Sequence, residues 1–496
     1  MPTGDLYGLL GVPPSASADD IRLAYRGAAR RFHPDVNSSP GATDEFKLIA
    51  EAYAVLNDPG QRSQYDASLK HKNAAPVLAL RSLLSRDKVP VLNEPQVVYA
   101  LVEVRPALPP AELPTPPVNL ALVIDRSTSM QGERLDQVKA AVAQLIDSLR
   151  ENDTLAIVTF SDKADVLVPA QRTAGDHKIT AKAKASTLHA SGGTEILRGL
   201  LRGMMELHQN LSPASVNHLM LLTDGQTYGD EGDCLLLAAL AAVDGISISG
   251  LGLGDEWNDK FLDELTAATG GSTAFIGAPD QLTKFMQDKV RGLGAAFSER
   301  LSLRVLPDQG VRLLTAYKVA PEPGPLPVEE MPLRLGSLPK DQALSLVLKF
   351  LLPPITEGAR PIARLALTGD VLSLNRRGER ATEDLAVTAQ ANFQAAAPPP
   401  ALVDALSKLS QYSLQEKAWQ KAAAGDIGGA TRLLSTLGTR LLSSGQADLA
   451  KMTIAEAKRL ERSHVLSEDA KKRIKYGTRA LMLPAPPVSG SGRLRS

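Results

Sequence analysis

Asp125, Ser127 and Ser129 stand at alternate positions directly after an unbroken apolar run, Leu120–Ile124. One carboxylate and two hydroxyls on a tight turn make an all-oxygen donor set, the chemistry that suits a hard cation such as Mg²⁺. Two later stretches extend it. Ser191-Gly-Gly-Thr194 presents a further hydroxyl, Thr194, at the end of a glycine-rich loop, and Leu219-Met-Leu-Leu-Thr-Asp-Gly225 is a second apolar run ending in a carboxylate, Asp224. Runs of this kind read as strands buried on both faces of a parallel sheet. Their polar ends then fall at the C-terminal edge of the sheet, where open α/β folds place ligands.

The segments around these residues alternate strand and helix. A first helix carries Leu135, Val138, Val142, Leu145 and Leu149 on one face. Strand 154–160, with 164–168 as its hairpin partner, comes next. Helix 195–208, strand 219–222, helix 234–243, strand 246–251, helix 259–268, strand 273–276 and helix 280–293 complete a doubly wound pattern. The order Asp-x-Ser-x-Ser, loop Thr, Thr-Asp-Gly resembles the metal-ion-dependent adhesion site of the von Willebrand factor type A domain, over residues 118–295. The resemblance implies that Asp125, Ser127, Ser129, Thr194 and Asp224 hold one divalent cation, Mg²⁺ or Mn²⁺, some directly and some through water. Ligands that are mostly neutral hydroxyls leave the cation under-neutralised, so a partner's Asp or Glu is drawn to the open position. Tyr228, Asp230 and Glu231 follow and could rim the site. Gly250-Leu-Gly-Leu-Gly254 lacks the spacing of a dinucleotide fingerprint and is followed by Asp255-Glu256, which would repel phosphate; it reads as the end of a core strand.

The first seventy residues carry a different chemistry. Ser17-Ala-Asp-Asp20 has the form of a capping box, and Ile21, Tyr25, Ala28 and Phe32 line one face of the helix that follows. Arg22, Arg26 and Arg30 lie on the other side. His33-Pro34-Asp35 stops this helix, and a second carries Phe46, Ile49, Ala50, Tyr53 and Leu56. With Glu51–Pro59, Gln61-Arg62 and Tyr65-Asp66, residues 3–68 resemble a J domain, the module by which DnaJ-type co-chaperones engage DnaK-type chaperones. The resemblance implies that His33, Pro34, Asp35, Arg22, Tyr25, Arg26 and Arg30 contact that chaperone and stimulate its ATPase. Gly27 and Ala28 are smaller than the residues usual there, and Gly27 weakens the helix by ~1 kcal/mol.

Residues 67–88 read as a linker or short helix. β-Branched runs between Val89 and Val104 signal strand, and Pro106–Pro117 is a stiff connection. After Glu299 the chain is strand-rich to Val387, suggesting an antiparallel sandwich over 296–390. The orphan strand needs hydrogen-bond partners, so segment 69–117 is expected to join that sandwich, with the metal domain inserted in it. A Pro/Ala linker precedes a helical region, 401–483, broken by Gly425, Gly428-Gly429 and Gly445 into helices of about ten to eighteen residues. It is either a small bundle or a protein-binding helical surface. Residues 484–496 read as a disordered tail.

With 496 residues, the chain is expected to form several domains. Basic and acidic residues balance at 55 each and aromatics are 4%; neither a global field nor a stacking surface points to nucleic acid. No stretch approaches the ~20 apolar residues that span a bilayer, the start lacks the pattern of a signal peptide, and one cysteine, Cys234, supports no internal disulfide framework. A cytosolic location is expected. No nucleophile, base and orienting group stand together and there is no P-loop, so no enzyme is expected. The leading reading is a DnaJ-like co-chaperone with a Mg-dependent protein-binding domain and an unknown client. The alternatives are a regulatory subunit of an AAA-type, chelatase-like ATPase complex and a scaffold with a vestigial metal site.

Overall fold

Apolar periodicity and capping chemistry account for the elements of the first of two units, residues 1–76 and 77–496. The computed structural model describes residues 6–13, 16–32, 42–62, 76–108, 115–227, 229–374 and 376–481. In the first unit, α1 (Leu6–Leu10), α2 (Ala18–Phe32) and α3 (Ala42–Asn57) pack around Tyr7, Ile21, Ile49, Ala52 and Leu56. The capping box closes reciprocally: Asp20 N–H donates to Ser17 Oγ at 3.2 Å, and Ser17 N–H donates to Asp20 Oδ2 at 2.9 Å. Tyr25 stacks on Tyr53 with ring centroids 4.1 Å apart. Arg62 reaches back to the other end of the unit, donating from Nε to Tyr7 Oη at 2.9 Å and from Nη2 to the Ala16 carbonyl at 2.6 Å.

The second unit contains a β-sandwich. One sheet orders β1 (Leu78–Leu84), β3 (Gln96–Pro106), β14 (Leu344–Leu352), β11 (Arg312–Ala320) and β12 (Gly324–Leu326). The other orders β13 (Leu333–Pro339), β10 (Ala296–Pro307), β15 (Gly358–Val371), β16 (Arg376–Gln390) and β2 (Lys88–Pro90). Strand β3 lies antiparallel to β14, from Leu344 opposite Val104 to Leu352 opposite Gln96. The expected union of the orphan strand with the later strands is therefore present, and the α/β domain is inserted between β3 and β10. The expectation of a linker or helix over 67–88 fails at β1: Leu-Ala-Leu-Arg-Ser-Leu-Leu is made of good helix formers, yet pairing with β3 along its whole length overrides that propensity.

The inserted sheet orders β6 (Ala164–Arg172), β5 (Thr154–Phe160), β4 (Val118–Asp125), β7 (Val216–Thr223), β8 (Ile246–Leu253) and β9 (Thr273–Ile276). All neighbours are parallel except the β5–β6 hairpin. Every residue of β4, β5 and β7 is buried, which explains their unbroken apolar runs. The second and third strands lie to one side of β4 and the later ones to the other, so strand order reverses between β4 and β7. Helices α4 (Glu133–Ser148), α5 (His177–Ser186), α6 (Ile196–Gln209), α7 (Glu231–Val243), α8 (Asp259–Ala267) and α9 (Pro279–Gly294) accompany the sheet. Helix α5 was not expected; it buries only Ala181 and Ala185, leaving little apolar periodicity to read.

Four C-terminal helices follow: α10 (Pro400–Ala423), α11 (Ile427–Ser443), α12 (Ala447–Ser463) and α13 (Glu468–Ala480). Gly425 and Gly445, at φ +81° and +79°, mark two of the breaks. Gly428-Gly429 does not break a helix: both sit in the first turn of α11, where the Asp426 carboxylate accepts from the Gly429 N–H at 2.8 Å. At 24 residues, α10 exceeds the expected length. It packs Leu402, Ala405 and Tyr412 against Leu101, Tyr317, Val319 and Val347 of the sandwich.

Candidate functional site

The reversal of strand order between β4 and β7 opens a crevice at their C-terminal ends. Asp125 is the last residue of β4, and Asp224 directly follows β7. Asp125 is fully buried, and both its oxygens are engaged: Oδ1 accepts from the Ser127 N–H at 2.8 Å and Oδ2 from the Thr223 hydroxyl at 2.7 Å. Burial pushes its carboxyl up to about 6 and the nearby Asp224 charge adds to this, against the opposing hydrogen bonds from Thr223 and Ser127. Ser127 Oγ lies 2.9 Å from Ser129 Oγ, and the Ser129 hydroxyl donates to Asp224 Oδ1 at 2.7 Å. Asp125, Ser127, Ser129 and Asp224 thus form one continuous hydrogen-bonded chain.

Thr194 is brought to the same crevice by the loop ahead of α6. Its Oγ1 would lie 3.3 Å from a β-carbon on Gly225, the residue after Asp224. The loop is tied to its neighbours by backbone bonds, with Thr128 N–H donating to the Gly192 carbonyl at 3.0 Å and Ser191 N–H to the Arg126 carbonyl at 2.7 Å. Gly193 N–H donates to Asp162 Oδ1 at 2.7 Å, and Arg126 pairs with Asp165 at 3.1 Å. Among the described residues no group of three or more His, Cys, Asp or Glu side chains could hold a metal. The donors at the crevice are instead the hydroxyls of Ser127, Ser129 and Thr194 beside the buried carboxylate of Asp224, an all-oxygen set of the kind that fits a hard divalent cation such as Mg²⁺.

Two side chains absent from the sequence-based site belong to this crevice. Thr223 holds Asp125, and Arg134 donates from Nη1 to Asp224 Oδ2 at 2.8 Å. Thr223 was legible as the first residue of Thr-Asp-Gly; Arg134 gave no signal, being one basic residue in a helical first turn. Of the expected rim, Asp230 is an internal strut, accepting from the Leu197 N–H at 3.1 Å and from the Thr227 hydroxyl. Tyr228 lies outside the described residues. Gly250 and Gly252 lie in the C-terminal half of β8, as expected, and Gly254 directly follows it; Gly252 faces the indole of Trp257.

In the first unit, Arg22 and Arg26 are exposed on α2 and Tyr25 is half-buried against Tyr53. Arg30 lies on the same helix. His33, Pro34 and Asp35 lie outside the described residues.

Between β8 and α8, the loop that flanks the crevice is held by the last helix. Lys472 of α13 donates to the Asp255 carbonyl and, at 2.5 Å, to the Trp257 carbonyl, and its ammonium sits 4.8 Å from the Trp257 ring centroid. Lys475 pairs with Asp259 and Asp263, and Arg479 with Asp263. Among the described residues no helix is long and apolar enough to cross a membrane.

Comparison with known proteins agrees with this arrangement. Residues 5–66 match the DnaJ domain, 119–288 the von Willebrand factor type A domain, and 400–484 the Sll0103-like C-terminal alpha-helical domain. Chaperone protein DnaJ of Crocosphaera subtropica is 54% identical over 63 residues, which is 13% of this chain and 17% of that protein. The von Willebrand factor type A protein from Catenulispora acidiphila superposes with a TM-score of 0.65 at 17% identity, over 81% of this chain and 96% of its own, a likeness of fold. The uncharacterized protein sll0103 of Synechocystis sp. is 30% identical over 379 residues, 74% of this chain and 89% of the relative. A J domain and a von Willebrand factor type A domain are thus fused in one polypeptide, which belongs to the family of sll0103 and ends in that family's helical domain.

Proposed function

We propose that this protein is a DnaJ-like co-chaperone or adaptor that stimulates a DnaK-type chaperone through His33-Pro34-Asp35 and binds a protein partner through a Mg²⁺-dependent site at Asp125, Ser127, Ser129, Thr194 and Asp224. The observation that carries the binding half is the hydrogen-bonded chain from Asp125 through Ser127 and Ser129 to Asp224 at the β4–β7 crevice, with Thr194 beside Gly225. Bound there, Mg²⁺ would supply a positive centre that attracts a carboxylate. Ser127, Ser129, Thr194 and Asp224 would hold it, and Asp125 would orient the serine loop from behind through the bonds it already makes. Arg22 and Arg26 on the exposed side of α2 supply the basic face toward the chaperone, and Arg30 continues it by helical spacing.

Two measurements test the two halves. A DnaK-type chaperone from the same organism should hydrolyse ATP faster in single turnover with the full chain than with His33→Gln; equal rates end the co-chaperone reading. Affinity capture from lysate should enrich one partner in Mg²⁺ and lose it in EDTA and with Asp125→Ala. Equal enrichment under all conditions ends the metal-dependent reading.

A further inference from the structure

We infer that Arg134 is a tethered cation that competes with the divalent ion for Asp224, so that metal enters the site by displacing a guanidinium; this rests on the metal-dependent reading above. Arg134 is the second residue of α4, close to the positive end of the helix dipole, where acidic residues are favoured and a basic one is not. Its neighbours in that turn, Glu133 and Asp136, follow the ordinary preference. A basic side chain there needs a compensating partner, and it has one across the crevice: Nη1 donates to Asp224 Oδ2 at 2.8 Å. The Asp224 side chain is fully buried while that of Arg134 is 39% exposed, so the guanidinium can leave toward solvent and the carboxylate cannot.

Room for the guanidinium is built into the opposite wall. Gly254, at φ +71°, is the residue over which it lies; a β-carbon there would stand 3.2 Å from Nη2. The remaining oxygen of Asp224 accepts from Ser129. The carboxylate's charge is therefore already neutralised from inside the chain. An incoming cation gains the hydroxyls of Ser127, Ser129 and Thr194 but must take Asp224 from a charge-assisted bond. A site arranged in this way binds its metal more weakly than its donor set alone would allow, and fills in response to concentration.

Competition and simple positioning predict opposite signs. If Arg134 competes, removing its charge tightens metal binding; if it merely holds Asp224 in place, removal weakens it. The test uses the full chain and Mn²⁺ as probe, followed by loss of the free-ion paramagnetic signal and by calorimetry. Arg134→Gln should bind Mn²⁺ on the order of tenfold tighter than wild type, equivalent to ~1.4 kcal/mol. Arg134→Lys, which keeps the charge, should stay near wild type, and Asp224→Asn should abolish binding in either background. Arg134→Met, which keeps the apolar stem, repeats the test should the glutamine variant unfold. Equal or weaker binding by the charge-free variants, with wild type binding normally, overturns the competition and leaves the metal-dependent reading standing. No binding by any variant at millimolar Mn²⁺ overturns both.

Discussion

Arg479 and Asp263 form a two-armed ion pair between the last helix and the inserted α/β domain, with Nη1 2.8 Å from Oδ1 and Nη2 2.6 Å from Oδ2. Burial alone would raise the Asp263 carboxyl, but the charges of Arg479 and Lys475 override it and hold the group below its ordinary range. Tyr412 and Tyr476 rings face the same guanidinium at 5.5 and 5.1 Å. Asp263→Ala would leave Arg479 buried without its counter-charge, a loss of ~3–5 kcal/mol. Both tryptophans report on this region, Trp257 by packing against Tyr476 and Trp419 from the core of the helical domain. Thermal unfolding followed by tryptophan fluorescence should show a clearly lowered first transition; an unchanged curve refutes the clamp.

At Gly252, the glycine run of β8 has a packing cause. A β-carbon there would fall inside the Trp257 indole, whereas one at Gly250 would make ordinary contacts. Gly252→Ala should therefore lose on the order of 1–3 kcal/mol or more to overpacking, and Gly250→Ala much less. Matching melting temperatures for the two variants would contradict this.

Glu299 of β10 is buried beside Lys289, Arg300 and Glu322, and its Oε1 has no hydrogen-bond partner among the described residues. Burial pushes its carboxyl up to about 8 from an ordinary 4.5. The folded protein therefore holds a proton that the unfolded chain has released, and stability falls as pH rises from about 4.5 through 8. Glu322, held down to about 2 by Lys289 and Lys318 against the effect of burial, titrates outside that window. Buried His218, depressed by burial, is common to both proteins compared. Relative to Glu299→Gln, wild type should lose up to ~1 kcal/mol per pH unit between pH 5 and 8. A constant difference across that range would show that Glu299 stays ionised.

Because both oxygens of Asp125 already accept from protein donors, Asp125→Asn should act as loss of a supporting residue, weakening Mn²⁺ binding ~10–100-fold without unfolding the domain. Calorimetry on the full chain decides this; unaltered affinity would remove Asp125 from the site.

The parts of the fold that were legible in sequence are those whose burial pattern is simple. Strands β4 and β7 sit between two layers of helix, and their apolar runs say so; the capping box of α2 lies within the four residues Ser17–Asp20 and needs no tertiary partner. Strand β1 was not legible, because its identity comes from β3 and not from Leu78–Leu84 itself. The same holds at the crevice. Asp125, Ser127 and Ser129 share one turn and can be read together, whereas Arg134 acquires meaning only when α4 is laid beside Asp224. The clamp of α13 was illegible for that reason too: nothing in the sequence sets Lys472, Lys475 and Arg479 apart from other basic residues, and only their acidic and carbonyl partners on the α/β domain explain why all three are buried.

Insertion of the α/β domain between β3 and β10 has a consequence for synthesis. Strand β3 ends at Pro106 and its partner β14 begins at Leu344, so more than two hundred residues must be translated before the two can pair. At roughly 5–20 residues per second, that leaves β3 waiting for tens of seconds at the slower rates. Through that interval β3 can pair with β1, made before it, but its other edge, the one that β14 will cover, stays open on a long, largely apolar strand and is exposed to aggregation. The inserted domain, complete well before β14 emerges, can fold first and draw its own ends together, shortening the loop that the sandwich must close.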